Sequence, residues 1–160
     1  VKGLLDTNRK LRDAMLFNIL SYMNHRLLTD GNTVASIDEA YLFLSNLTTI
    51  EYIRNAMKRV RKKNSAVLLA SQNIDDFLAP DVREYTKSLF AIPANRFLFY
   101  PGHVEQRDFC DALSISPAEY ALIDHPERGV CLYHCGNARY LLQVQAPEFQ
   151  AKLFGDAGGR

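Results

Sequence analysis

The sequence predicts an α/β domain organised around a β-α-β unit, and three observations support that fold class. Two short apolar, β-prone runs, 33–37 and 65–70, are separated by a stretch with helical periodicity. Both runs stop at polar residues, Asp38-Glu39 after the first and Ser71-Gln72 after the second. In a β-α-β unit the strands are parallel, so their polar ends share one edge of the sheet. In open α/β sheets that edge is where ligands bind.

Length and composition are those of one globular domain with a proper core. The chain has 160 residues, of which 48% are hydrophobic and 23% are charged. Its formal net charge of +1 argues against a strongly basic surface for nucleic acid. No apolar run approaches the ~20 residues that a membrane-spanning helix needs. No signal-peptide pattern opens the chain and its three cysteines cannot all pair, so a cytosolic or peripheral protein is expected.

A long helix is predicted from Asn8 to about Leu28. Asp6 or Thr7 can cap its start, and the turn cluster 29–32 ends it. Apolar residues recur at steps of three and four, which is the period of a helix with one buried face. The residues that set this period are Leu16, Leu20, Met23 and Leu27.

The first predicted strand delivers Asp38 and Glu39 to the ligand-binding edge. An aspartate at this place can hold a magnesium ion, usually through water, and a glutamate beside it can orient or deprotonate an attacking water. Interpreted this way, the stretch 33–41 is the Walker B element of a nucleotide hydrolase. The alternative is a strand followed by a helix whose first turn carries acids that favour the helix dipole.

The second predicted helix runs from about residue 48 to residue 63 and is strongly basic at its end. Six cations lie between Arg54 and Lys63, and no acid occurs from 53 through 74. At about 100° per residue, Arg61 falls near the margin of the apolar stripe, whereas Arg59 points away from it. The alternative for each cation is a solvated basic face near a helix carboxyl end.

The second strand ends at Gln72, which can hydrogen-bond a terminal phosphate or the attacking water, or can simply cap the next turn. A helix is then expected within 80–89, short strands at 90–92 and 97–100, and short helices at 105–113 and 117–123. The two-residue turn Gly136-Asn137 predicts a β-hairpin of 130–135 and 138–144. Residues 1–150 are assigned to one domain, and 151–160 to a flexible tail.

Cys131, His134 and Cys135 raise the question of a metal site in that hairpin. On a strand, the two cysteines share one face because they are four residues apart, and His134 points to the other face. Structural zinc sites prefer a two-residue spacing within a knuckle. Buried hairpin cysteines are therefore the favoured interpretation.

The order of these motifs resembles the carboxyl-terminal half of the conjugation and type IV secretion ATPases of the VirB-four/TraC/TraE group. The resemblance rests on the strand before Asp38-Glu39-Ala40, the basic segment 58–63 and the strand that closes with Ala70-Ser71-Gln72. It covers most of the chain, through Asp76-Phe77-Leu78, the segment 113–116 and the closing hairpin. These proteins are FtsK- and HerA-like motors with a RecA-like core. The resemblance thus implies that 1–150 is part of a three-layer P-loop NTPase domain with helices on both faces of the sheet.

Carried over residue by residue, the resemblance implies roles for four residues, with ATP and Mg²⁺ as ligands of the full-length protein. Asp38 would be the Walker B aspartate behind the magnesium ion, Glu39 would activate water, and Gln72 would sense the γ-phosphate. Arg61 would be a finger that reaches the nucleotide of a neighbouring subunit, a contribution of about 10³–10⁵ in rate. Arg83 and Arg96 are further candidates for that finger.

One part of the family's pattern is missing from these residues. No Gly-x-x-x-x-Gly-Lys-Ser/Thr occurs, and the family's phosphate-binding loop lies upstream of where this chain begins, at Val1 without a methionine. We therefore expect a fragment of a motor that alone binds ATP weakly and hydrolyses it negligibly. The strand edges and apolar helix faces left by the missing half predict self-association or a rearranged sheet.

The resemblance implies ATP hydrolysis coupled to substrate transfer or to pilus and secretion assembly in conjugative DNA transfer. The implied partners are copies of the same chain, for example in a hexamer, and other secretion-system components, at the inner face of the cell membrane. Two alternatives stay open. One is a non-catalytic assembly or docking module in which Asp38 and Glu39 are vestigial. The other is DNA binding by the helix 54–63, against which the near-neutral charge and the lack of interleaved aromatic residues count.

Overall fold

A computed structural model describes residues 8–43, 47–72, 74–78 and 82–155 of the chain. The chain divides into two compact units, the first made of 1–93 with 111–114 and the second of 94–110 with 115–160. The first unit contains a parallel pair of strands, and the second contains a three-stranded antiparallel sheet. The predicted α/β class is therefore confirmed.

The first unit opens with a long helix, α1 (Arg9–His25), at the predicted position. The side chain of Asn8 caps its start by accepting a backbone N–H bond of 3.0 Å. The helix continues into a π-helical turn (Arg26–Asp30) and stops at Gly31, which has a φ of +74°. A Cβ at Gly31 would lie 2.8 Å from the carbonyl oxygen of Lys63, so both conformation and space require glycine there.

Two four-residue strands, β1 (Val34–Ile37) and β2 (Ala66–Leu69), pair in parallel along their whole length. The connection between them contains a 3-10 turn (Ala40–Phe43), the helix α2 (Leu47–Arg59) and a second 3-10 turn (Val60–Lys63). This is the β-α-β unit that the sequence predicts.

The core of the first unit lies on one face of the parallel pair. There, Ile37 belongs to a buried cluster with side chains of α1 and α2. On the opposite face, Val34 is 72% exposed and Leu68 is 56% exposed. In the described residues helices thus cover one face of the pair, although parallel sheets normally bury both. The cluster also includes Leu16, Leu20, Ile50, Ile53, Phe77 and Leu89.

Two further helices, α3 (Asp75–Leu78) and α4 (Arg83–Ala91), complete the first unit. The strand predicted at 90–92 is wrong, because α4 continues to Ala91. Thr86, Leu89 and Phe90 recur at helical spacing on the inner side of α4, and this burial outweighs the β-propensity of a short apolar run.

The second unit is built on strands β3 (Asn95–Leu98), β4 (Val130–Cys135) and β5 (Ala138–Gln143), in that order across the sheet. The predicted hairpin is confirmed, with Gly136 and Asn137 as its turn. The central strand is the most buried, and its buried residues are Cys131, Leu132 and His134.

Helix α5 (Gln106–Leu113) has residues assigned to each of the two units, and helix α6 (Pro117–Tyr120) belongs to the second unit. A complete capping box starts α6, because Ser116 Oγ accepts the Glu119 N–H while Glu119 Oε2 accepts the Ser116 N–H. The capping box thereby fixes the Glu119 carboxylate near His134 and Arg139 of the sheet.

The last described helix, α7 (Glu148–Phe154), enters the segment that was predicted to be a tail from 151. Glu148 in its first turn favours a helix start, so the helix extends into a segment whose glycine-rich end is typical of a tail. Residues 156–160 lie outside the described chain. None of the helices in the described ranges has the length and apolarity needed to cross a bilayer.

Candidate functional site

The polar residues that follow β1 and β2 meet at the carboxyl edge of the parallel pair. The backbone pairing continues past both strands, because Ala70 N–H donates to Ile37 O and Ala40 N–H donates to Ala70 O, each at 2.9 Å. Beyond this pairing, Gln72 Nε2 donates a hydrogen bond of 2.8 Å to Glu39 Oε1. The two side chains predicted to share this edge are therefore in direct contact.

Glu39 has a left-handed backbone conformation, with a φ of +54°. Residues with a side chain rarely adopt it, and such strained positions cluster at functional sites. Asp38 Oδ1 accepts the Glu39 N–H at 2.9 Å, which stabilises this sharp turn at the end of β1.

The three side chains have complementary chemistry and are accessible, since Asp38 and Gln72 are exposed and Glu39 is half-buried. A carboxylate oxygen of Asp38 suits Mg²⁺, a glutamate can accept a proton from water, and an amide N–H can donate to a phosphate oxygen. Within the described ranges, no group of three or more His, Cys, Asp or Glu could hold a metal. Magnesium usually takes only one or two protein carboxylates together with water and phosphate oxygens, so this edge fits it.

Arg61 lies at the opposite end of the parallel pair. It belongs to the 3-10 turn that precedes β2, where Lys63 O accepts the Asn32 N–H at 3.0 Å just ahead of β1. Strands of four residues span about 13 Å at ~3.3 Å per residue. The length of the strands thus separates Arg61 from Glu39 of the same chain.

The predicted position of Arg61 at the margin of a buried face is wrong, because its side chain is exposed. The chain tightens into a 3-10 turn at Val60, so the angle of 100° per residue no longer applies there. Arg54 is the half-buried cation of this segment. The cations exposed along with Arg61 are Lys58, Arg59, Lys62 and Lys63.

A second polar cluster, which the sequence did not predict, lies on one face of the antiparallel sheet. Strand pairing places Arg96 and Arg139 on either side of His134. Arg96 Nη2 lies 2.9 Å from His134 Nδ1, and Glu119 Oε1 lies 3.5 Å from Arg139 Nε and 3.9 Å from His134 Nε2. Arg96, a candidate finger from the sequence, is thus engaged within its own chain. Only the strand register could have revealed this cluster.

Electrostatics in this cluster follow from burial and from the two guanidinium groups. His134 is only 1% exposed, and burial lowers its pKa, as do Arg139 and Arg96, against the opposing effect of Glu119. The backbone N–H of Ser116 holds the pKa of Glu119 below its ordinary value. Burial and the two guanidinium groups therefore favour the neutral form of the His134 imidazole.

The cysteines of the hairpin are free thiols, with Cys131 buried and Cys135 exposed. Burial raises the pKa of Cys131. The interpretation that both hairpin cysteines are buried is thus right for Cys131 and wrong for Cys135.

Solved structures with a similar fold include those of VirB4 and B204. The structure of VirB4 of Thermoanaerobacter pseudethanolicus superposes with a TM-score of 0.81 at 29% sequence identity, over 92% of this chain and 40% of that chain. B204, the DNA-packaging ATPase from Sulfolobus Turreted Icosahedral Virus, has a TM-score of 0.62 at 15% identity, over 87% of this chain and 65% of that chain. No family model and no curated protein sequence matches this chain.

The chain thus spans about 40% of the length of the VirB4 chain that it matches. The packaging ATPase supports the fold alone at its level of identity. In fold and in the order of its sequence motifs, this chain is similar to the carboxyl-terminal part of a VirB4-like ATPase.

Proposed function

We propose that this chain is the segment of a conjugative-transfer or type IV secretion ATPase that supplies the Walker B residues and a trans-acting arginine. The observation that carries the proposal is the hydrogen bond between Gln72 and Glu39 at the carboxyl edge of the parallel pair. This edge is where open α/β sheets bind ligands, and the likeness to VirB4 supports a nucleotide there.

Each residue of this edge has a defined role in the proposed reaction. Glu39 accepts the proton of the attacking water, and Gln72 holds the Glu39 carboxylate and donates to the terminal phosphate of ATP. Asp38 holds Mg²⁺, which would neutralise charge on the phosphates. The phosphate-binding loop is supplied from outside these 160 residues, because the sequence contains no Gly-x-x-x-x-Gly-Lys-Ser/Thr.

Arg61 acts on the nucleotide of a neighbouring subunit. Its place at the amino end of the strands, away from Glu39 of its own chain, supports action in trans. The working form is therefore a homo-oligomer such as a hexamer. It works together with other secretion-system components at the inner face of the membrane. The coupled process is substrate transfer or pilus and secretion assembly.

ATP turnover by a full-length ATPase that contains these residues tests the proposal. Glu39→Gln should lower the turnover rate by about 10²–10⁴-fold and Arg61→Ala by about 10³–10⁵-fold. Mixing the two variants should restore part of the turnover. Arg59→Ala is the matched control, because Arg59 is equally a surface cation of this segment. Turnover that neither substitution changes would overturn the catalytic assignment.

A non-catalytic assembly or docking module is the second candidate, favoured by the open apolar face that Val34 and Leu68 present. This alternative predicts that Glu39→Gln leaves both turnover and secretion unchanged while Leu68→Lys abolishes secretion.

A further inference from the structure

The outer edge of β5 lacks the lysines, prolines and bulges that normally protect an edge strand. β5 is the last strand of the antiparallel sheet among the described residues. Because Cys135 and Ala138 flank a two-residue turn, the N–H and C=O groups of Arg139, Leu141 and Gln143 point away from β4. Natural edges carry lysines, prolines or bulges against further pairing, and 138–144 contains no lysine and no proline.

The side chains of this edge are apolar and exposed. Tyr140 is 51%, Leu141 53% and Val144 55% exposed. The one charged residue of 138–144 is Arg139, and its Nε lies 3.5 Å from Glu119 Oε1 within the same unit. The edge therefore has backbone N–H and C=O groups that can pair with a second strand, and Arg139 is the one charged side chain that could repel it.

An aromatic row across the sheet ends at the same edge. The rings of Phe97 and Tyr133 are stacked with centroids 4.5 Å apart, and those of Tyr133 and Tyr140 are stacked with centroids 6.0 Å apart. Tyr140 is the last ring of the row, at β5, and about half of it is exposed. A second copy of the chain, placed about a two-fold axis, would continue this row with its own Tyr140.

We propose that β5 pairs antiparallel with β5 of a second copy, with Tyr140 opposite Tyr140, so that the two three-stranded sheets become one. The backbone N–H and C=O groups of Arg139 and Leu141 point away from β4. In this register Arg139 of one copy therefore lies opposite Leu141 of the other, and their backbones form a hydrogen-bonded pair. In a register shifted by one residue, backbone groups that point toward the second copy would lie opposite groups that point toward β4. The side chains of the two copies would then also lie on opposite faces of the joined sheet. Arg139 opposes an uncharged residue, so the register brings no like charges together. The pairing uses residues of β5 and none of Asp38, Glu39 or Arg61, so it does not depend on the proposed ATPase function.

Two substitutions at one position test the register by charge, with light scattering and sedimentation across a wide concentration range as the measurement. Leu141→Lys places a cation opposite Arg139 at both symmetric positions, and it should raise the dimer Kd about tenfold or more. Leu141→Glu places a carboxylate there instead, and should leave the Kd unchanged or lower it. The matched control is Leu68→Lys, an equally exposed apolar position on the parallel pair, which should leave this dimer intact.

Disulfide trapping gives a second measurement that does not depend on those variants. Tyr140→Cys in a Cys135→Ser background should form a covalent dimer on mild oxidation, because directly opposed non-hydrogen-bonded residues lie within disulfide reach. Leu141→Cys in the same background should not. A chain that stays monomeric, an equal effect of lysine and glutamate at 141, or loss of the dimer on Leu68→Lys alone would each overturn the proposal.

Discussion

Nη2 of Arg96 lies 2.9 Å from Nδ1 of His134 and thereby fixes the protonation state of a buried imidazole. A guanidinium group can only donate, so Nδ1 accepts and the ring proton is on Nε2. Nε2 is buried and has no hydrogen-bond partner among the residues that the structure describes, with Glu119 Oε1 3.9 Å away. Protonating Nδ1 would break the bond to Arg96 and would place three cations around one carboxylate.

This arrangement predicts a chain that loses stability in mild acid. The pKa of His134 lies below its ordinary 6.5 in the folded chain, so the unfolded chain binds a proton first as the pH falls. Stability should be fully present above pH 6.5 and should decrease below it, toward the lowered pKa of the folded state. The pKa of Glu119 is also lowered in the folded chain. Protonation of this carboxylate should therefore remove further stability as the pH falls below 4.5, its ordinary pKa. Thermal unfolding between pH 8 and pH 4 measures this slope.

His134→Gln is the control for that prediction, because a glutamine oxygen can still accept from Arg96 but does not titrate. The variant should have a flatter dependence of melting temperature on pH between about 7 and 5. A slope identical to that of the unmodified chain would assign the acid sensitivity to other groups.

Gly129→Ala should destabilise the second unit strongly, because a Cβ there would lie 2.2 Å from the carbonyl oxygen of Val144 and the φ is +78°. The left-handed conformation alone costs about 1–2 kcal/mol. Gly102→Ala isolates that cost, since Gly102 has a φ of +74° and a Cβ would meet nothing within 4 Å. Urea unfolding should show a larger loss at 129 than at 102, and equal losses would contradict the close approach.

The Glu39–Gln72 hydrogen bond should matter little for folding, because Gln72 is exposed. Gln72→Leu should lower the free energy of unfolding by less than about 1 kcal/mol. A loss of ATP turnover in the full-length protein on the same substitution would then show that Gln72 acts in the reaction and not in folding. Unfolding of the variant at a markedly lower urea concentration would show that Gln72 is structural instead.

The features that depend on local patterns could be predicted from the sequence. The period of Leu16, Leu20 and Leu27 predicts α1 and its π-helical continuation, and the Gly136-Asn137 turn predicts the hairpin. The polar ends of two apolar runs place Glu39 and Gln72 at one edge. In each case a short-range signal and the tertiary packing agree.

The features that depend on tertiary pairing could not be predicted. Phe90 lies in a short apolar run typical of a strand, but packing against Phe77, with ring centroids 5.2 Å apart, places it in a helix. The Arg96–His134 contact joins residues 38 positions apart, and only the register of β3 against β4 brings them together. The change to a 3-10 turn at Val60, which exposes Arg61, leaves no signal in the helical period.

Thr86 should be a sensitive polar position of the first unit, because its side chain is buried and hydrogen-bonded. Its hydroxyl donates to Phe77 O at 2.5 Å, and the residue is 1% exposed. Thr86→Val keeps the shape but leaves that carbonyl oxygen without its donor, which should cost about 1–3 kcal/mol in the free energy of unfolding. Thr86→Ser keeps the hydroxyl and loses only a methyl group, so urea unfolding should rank serine above valine in stability, because here the hydrogen bond between α3 and α4 outweighs one methyl group of packing. The reverse ranking would show that packing of the methyl group dominates at this position.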